Sequence, residues 1–243
     1  MLPEWPIADL PVRFLRDGYA ETEPDIVERT EMDAGHVKRR LRSYPLPGTI
    51  TGLLYCGATQ FNSLVEFYRE TAQSGGQFTM PHPVSGDIVR TAFARLPVFQ
   101  PAAAEGKGRV PLALHKFGLL PARAKPERAP LVWPPGMPQY FLRGDFKAQP
   151  PDNVLAADAE QGDFQSRLIG VAGPSPLSGS MVMSDAQYDD LCLFYRDVVR
   201  GVLPFSFPDP QGDGVITVHF SDPPGRRPFS RALWQVRLSL EKR

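Results

Sequence analysis

The chain has 243 residues, with 27 Lys and Arg against 27 Asp and Glu and a formal net charge of zero. That balance excludes an overall electrostatic pull toward nucleic acid or an acidic membrane surface. Its 27 prolines, about twice the usual share, argue against long helices and for a β-rich fold with many turns.

The first residues, Met1-Leu2-Pro3-Glu4-Trp5-Pro6, lack the basic start and apolar centre of a signal peptide. No later run approaches the ~20 apolar residues of a membrane span, so no membrane insertion is expected. Trp5 among its prolines reads as an extended lead-in, and Trp133-Pro134-Pro135 repeats it. Val12-Arg13-Phe14-Leu15 and Gln139-Tyr140-Phe141-Leu142 are predicted first strands, ended by the turn formers Asp17-Gly18 and Gly144-Asp145. Arg143-Gly144-Asp145 also spells the adhesion tripeptide read by integrins, but the matching Arg16-Asp17-Gly18 favours a turn.

Residues 24–47 are rich in charge, with Arg29, Glu31, Asp33, His36, Lys38, Arg39, Arg40 and Arg42 on a weak alternation. The basic run Lys38, Arg39, Arg40 and Arg42 is the candidate subunit interface, an arm that meets a partner's carboxylates. The plainer reading is a solvated strand and loop. The matching segment has Gln165-Ser166-Arg167 instead, which suggests different neighbours for the two segments.

Thr49-Ile50-Thr51-Gly52-Leu53-Leu54-Tyr55 and Ser180-Met181-Val182-Met183 are predicted strands that lead into helices. In the second, Ser184 and Gln187 form a capping box; Tyr188, Leu191, Cys192, Tyr195, Val198 and Val199 share a face, and Gly201 is the stop. In the first, Gly57 and Gln60 take the cap, Phe61, Leu64, Val65 and Tyr68 form the stripe, and Gly75-Gly76 follow. Gln77 to Pro83 and Pro204 to Pro210 then read as edge strands with proline-bracketed turns. Asp209 and Asp213 hint at a calcium loop but lack EF-hand spacing, and a polar turn is the plainer reading. The strands Ile88 to Phe93 and Val215 to Phe220 follow. Each half closes on a further strand, Val110 to Lys116 and Val236 to Lys242, with Val236, Leu238 and Leu240 on the buried side.

These pairs share one shift. Phe67-Tyr68-Arg69 recurs 127 residues later as Phe194-Tyr195-Arg196, and the same shift carries Phe14-Leu15-Arg16 onto Phe141-Leu142-Arg143 and Gly35 onto Gly162. Over residues 14–97 and 141–224, 21 of 84 positions are identical without a gap. The last strands match at 126. The sequence therefore reads as a tandem duplication: copy 1 at 1–116, a Pro/Ala/Arg-rich linker at 117–131 and copy 2 at 132–243.

Chemistry is sparse. There is no glycine-rich phosphate loop, nucleophile elbow or Cys/His cluster at metal spacing, so no catalytic, cofactor-binding or metal-binding residue is assigned. Cys56 and Cys192 occupy unmatched positions and suit a reducing compartment. His36, His82, His115 and His219 have no histidine at the matching position. A carboxylate pair for hydrolysis would have to come from Asp87, Asp209, Asp213 and Asp222.

The assembled pattern resembles long-tailed phage minor tail proteins and the tube-like domain of distal tail proteins. The resemblance rests on Arg13-Phe14-Leu15-Arg16-Asp17-Gly18-Tyr19, on a strand running into a helix that ends in Phe-Tyr, on an aromatic strand with Pro, and on Trp234 to Glu241 as Trp-x-Val-x-Leu-x-Leu-Glu. Copy 2 departs with Gly144-Asp145-Phe146, and the last strand of copy 1 lacks the Trp and Glu. The resemblance implies a mainly β (α+β) chain of two tail-tube-like β-barrel or sandwich domains, each with one packed helix. It further implies a ring at the virion tail tip or baseplate, built as a trimer or hexamer. Its partners would be further copies of itself, the tail tube protein, tail hub or tip proteins and the tape-measure protein. The rival expectation is a tandem β-domain module that binds host-surface carbohydrate through Phe205, Phe207 and Phe229; a tail-associated hydrolase is a third.

Overall fold

The computed structural model describes residues 2–30, 37–72, 76–101, 107–118, 131–151, 154–157, 165–168, 175–212 and 214–242. Glu31, Asp33, Gly35, His36, Gly75, Gly162, Asp213 and the expected linker over 119–130 lie outside these residues. The fold is mainly β. The described elements begin with β1 (Leu15–Thr22), β2 (Asp25–Thr30), β3 (Lys38–Leu46), β4 (Gly48–Gly57), α1 (Ala58–Ala72), β5 (Gln77–Pro81), β6 (Ile88–Phe93), β7 (Gln100–Pro101) and β8 (Lys107–Phe117). They continue with β9 (Lys147–Ala148), β10 (Val154–Ala157), β11 (Gln165–Leu168), β12 (Ser175–Met183), α2 (Asp185–Leu193) and a π-helical turn (Phe194–Val198). The last four are β13 (Phe205–Pro208), β14 (Val215–Phe220), β15 (Gly225–Pro228) and β16 (Trp234–Lys242).

Two compact units form, and each draws on separate stretches of chain. Unit 1 holds Met1–Asp25, Pro45–Leu120 and Gly225–Gln235; unit 2 holds Ile26–Tyr44, Pro121–Pro224 and Val236–Arg243. The units thus differ from the two sequence halves in two segments, Ile26–Tyr44 and Gly225–Gln235. The first is anchored in unit 2 by Ile26 and Val27, 2 % and 0 % exposed.

Unit 1 is an antiparallel sheet in the order β15-β1-β4-β8-β6-β5, with β7 on β8. Its centre is the ten-residue ladder of β4 and β8, from Gly48 opposite Lys116 to Gly57 opposite Lys107. Period-two alternation buries Ile50, Leu54 and Cys56 on one strand and Val110, Leu112 and Leu114 on the other. Each such aliphatic side chain contributes about 1.5–3 kcal/mol by leaving water. α1 covers β4, β5 and β6. Unit 2 pairs β13, β14 and β16 in that order, with β12 on β16 and β9 on β12. There Val236, Leu238 and Leu240 are fully buried, as their alternation requires.

The two cores match residue by residue. Trp5 stacks on Phe78 at 5.9 Å and Trp133 on Phe205 at 6.0 Å. Phe67 meets Phe78 edge-on at 5.2 Å and Phe194 meets Phe205 at 5.3 Å. Tyr68 meets Phe93 at 5.1 Å and Tyr195 meets Phe220 at 5.2 Å, both edge-on. Registers match too: Phe78 faces Thr91 and Phe205 faces Val218, while Phe93 faces Leu114 and Phe220 faces Leu240. Gly52 and Gly179 lie so close to Phe14 and Phe141 that an added Cβ would sit 2.6 Å from each ring.

Several elements differ from expectation. The first strand is Leu15–Thr22, not 12–15, and it runs through Asp17-Gly18. Between the pairs Leu15–Leu53 and Ala20–Thr51 the register shifts, so Asp17-Gly18 forms an irregularity inside the strand, with Gly18 at φ +80°. Residues 139–142 form no strand; the chain turns at 143–145, where the Asp145 amide donates to the Leu142 carbonyl at 3.1 Å. The Arg143-Gly144-Asp145 tripeptide is this turn. In the second helix the Ser184–Gln187 capping box forms as expected. Its stripe, however, buries Phe194 and leaves Val198 43 % exposed, because the π turn, closed by the Val199 amide on the Phe194 carbonyl, inserts an extra residue. Both Phe and Tyr of each repeated Phe-Tyr-Arg therefore pack in the core cluster, whereas Arg69 is exposed and Arg196 pairs with its neighbour Asp197.

Candidate functional site

The candidate interface residues all lie on β3. Lys38 and Arg40 are exposed, Arg39 and Arg42 half-buried. Arg40 makes a two-pronged ion pair with Glu28 on β2, with both contacts at 3.0 Å, and this holds the Glu28 carboxyl below its ordinary range. Such exposed pairs add little stability. Arg42 donates from Nε to the Val27 carbonyl at 2.9 Å. Arg39 forms a salt bridge with Glu241 of β16 in unit 2, their side chains 5 % and 8 % exposed. The basic run thus meets a carboxylate within its own unit, and the four side chains do not converge on one point.

The densest polar constellation is one the sequence reading missed. Glu21, on the inward face of β1 two residues after Tyr19, is 2 % exposed. Its Oε1 receives Lys116 Nζ at 2.6 Å and lies 3.0 Å from His82 Nε2. Its Oε2 receives the Tyr19 hydroxyl at 2.8 Å, Arg226 Nε at 2.9 Å and Arg226 Nη2 at 2.8 Å. The Val84 and Ser85 amides point at His82 Nδ1, so the Nε2–H tautomer faces Glu21. Lys116 also reaches Glu23 at 2.6 Å.

Burial opposes the charge on Glu21, but the His82 hydrogen bond and the Lys116 and Arg226 charges prevail and hold its pKa well below the ordinary value. Burial likewise opposes the Lys116 charge, and Glu21 with Glu23 overcomes it, so that pKa rises. Burial and then the Glu21 charge push the Tyr19 phenol up. A carboxylate saturated with donors and held ionised clamps β1 to β8, to the turn after β5 and to β15; it is ill suited to shuttle protons. Its parts are spread from Tyr19 to Arg226, and the shift of 127 puts Ala148 at the place of Glu21. No local motif signals it. An inward-facing Glu would have drawn notice only with β1 correctly placed.

Beside the clamp, an open cavity of about 530 Å³ lies between the Arg16 to Ala20 bulge and the Arg227 to Ser230 turn. Arg16 donates to the carbonyls of Arg231 and Leu233. Arg16 and Arg226 each lie 4.7 Å from the ring centre of Trp234. Phe229, 53 % exposed, belongs to the cavity wall. Phe205 and Phe207, expected as alternative sugar platforms, are instead 2 % and 0 % exposed in the core of unit 2.

Among the described residues no three His, Cys, Asp or Glu side chains are placed to hold a metal ion, and no helix is long and apolar enough to cross a membrane. Of the carboxylates considered for hydrolysis, Asp87 lies in unit 1, Asp209 and Asp222 in unit 2, and Asp213 outside the described residues. Burial pushes the Cys56 thiol pKa up, away from reactivity. No protein-family model matches the chain, and no curated protein matches it.

Proposed function

We propose that the chain is a structural component of a phage tail tip or baseplate, forming a ring that joins the tail tube to the tip. The observation that carries this reading is the match between the two cores: the same aromatic cluster and the same strand registers recur under one fixed shift. Two like units on one chain let three chains supply the six positions of a sixfold tube, and closed rings are the ordinary outcome of head-to-tail contacts that complete a rotation. A pseudo-sixfold trimer of this kind adapts a sixfold tube to a threefold tip. The mainly β fold, with a helix after a long strand in each unit, supports the tail-tube-like resemblance of the motifs. The partners in this reading are further copies of the chain, the tail tube protein, hub or tip proteins and the tape-measure protein, and the site of action is the virion tail. Single-particle imaging of assembled tail tips tests it: the expected density is one ring with six similar lobes joined in pairs, and lobes stacked in two layers of six would contradict it.

A further inference from the structure

The hairpin of β2 and β3 and the hairpin of β10 and β11 are counterparts. The shift of 127 carries Val27 onto Val154 and Arg40-Leu41 onto Arg167-Leu168. Each hairpin is a two-stranded sheet of its own, pairing with no other described strand. Their surroundings differ. Residues Ile26–Tyr44 are built into unit 2, where Val27 is fully buried with its methyl group against Gly201 and Arg39 bonds to Glu241. The β10–β11 hairpin, by contrast, lies within the long second-half stretch of unit 2 and is not part of unit 1.

The matching seat in unit 1 can be located. The last strands match at 126, so Glu241 corresponds to His115 on β8, and Arg39 corresponds to position 166, a serine on β11. His115 Nδ1 is buried and has no hydrogen-bond partner among the described residues, an arrangement that costs stability until a partner supplies one.

We propose that β10–β11 docks on unit 1 of a second copy of this chain, around His115, as β2–β3 is docked in unit 2. The inference rests on the ring reading and deepens it: one hairpin joint lies within each chain and the other between chains, so three chains close a ring of six joints. The two joints are chemically distinct. The inner one pairs a basic hairpin with Glu241, while the outer one offers an uncharged Gln165-Ser166 edge to a histidine. A basic hairpin from a neighbour finds no carboxylate at His115, which keeps the two joints from exchanging partners.

The test uses full-length chain with Ser166→Cys and His115→Cys, oxidised after assembly. The expected result on a non-reducing gel is a ladder of two and three linked chains. Arg39→Cys with Glu241→Cys is the control and is expected to link within one chain. Trimeric rings that give only single-chain bands for the Ser166/His115 pair overturn the docking and leave the ring standing. A ladder from an assembly that is not trimeric supports the docking and overturns the ring. Should the cysteine variant fail to fold, Val154→Asp replaces it: association is expected to weaken about tenfold or more with an unchanged circular dichroism spectrum, and unchanged association overturns the docking.

Discussion

At the scale of residues, Glu21 concentrates more of the electrostatics of unit 1 than any other described side chain. Glu21→Gln leaves Lys116 and Arg226 buried without their counter-charge, and removing one member of a buried ion pair costs about 3–5 kcal/mol. Denaturant unfolding at neutral pH is expected to report that loss. The pH dependence has a definite sign. Because the folded-state pKa of Glu21 is lowered from 4.5, its contribution is complete above that value and is lost as pH falls through the lowered one. Wild-type stability should therefore fall more steeply on acidification below about pH 4.5 than that of Glu21→Gln. The paired glycines offer a second residue-level check. Gly52→Ala and Gly179→Ala each drive a methyl group into a phenylalanine 2.6 Å away, and overpacking of this kind costs about 1–3 kcal/mol. Similar losses at both sites are expected from thermal melts; a loss at one site alone would mean that the two cores are not equivalent. The sequence exposed this equivalence through identical residues but hid the clamp, whose members are distant in the chain and absent from the second repeat.

Among the elements, the helix after β12 was the most legible, because its start is encoded locally. Ser184 and Gln187 satisfy each other's backbone amides, and Ser184→Ala is expected to cost about 1 kcal/mol, measurable as a lowered unfolding midpoint with the fold intact. Its far end was less legible. Nothing in Phe194-Tyr195-Arg196-Asp197-Val198 announces a π turn, since that choice is made by packing Phe194 on Phe205 and Tyr195 on Phe220. The first strand was misplaced for a related reason: Asp17-Gly18 is good turn chemistry, and only the pairing with β4 and β15 carries the strand through it as an irregularity. Strands whose two-residue alternation is strong, such as β4, β8 and β16, were legible from pattern alone. The assignment of residues 26–44 to unit 2 was not, because a charged hairpin with a short apolar edge reads the same wherever it docks.

For the whole molecule, doubling governs the account. Two units that share a core and a set of registers, with hairpins in matched positions, make a chain suited to supply two successive places in a ring. The most direct test is native mass spectrometry of the ring released from assembled tail tips. Each chain weighs 27.0 kDa, so the account predicts a species of three chains near 81 kDa. A ring of six chains near 162 kDa would contradict it.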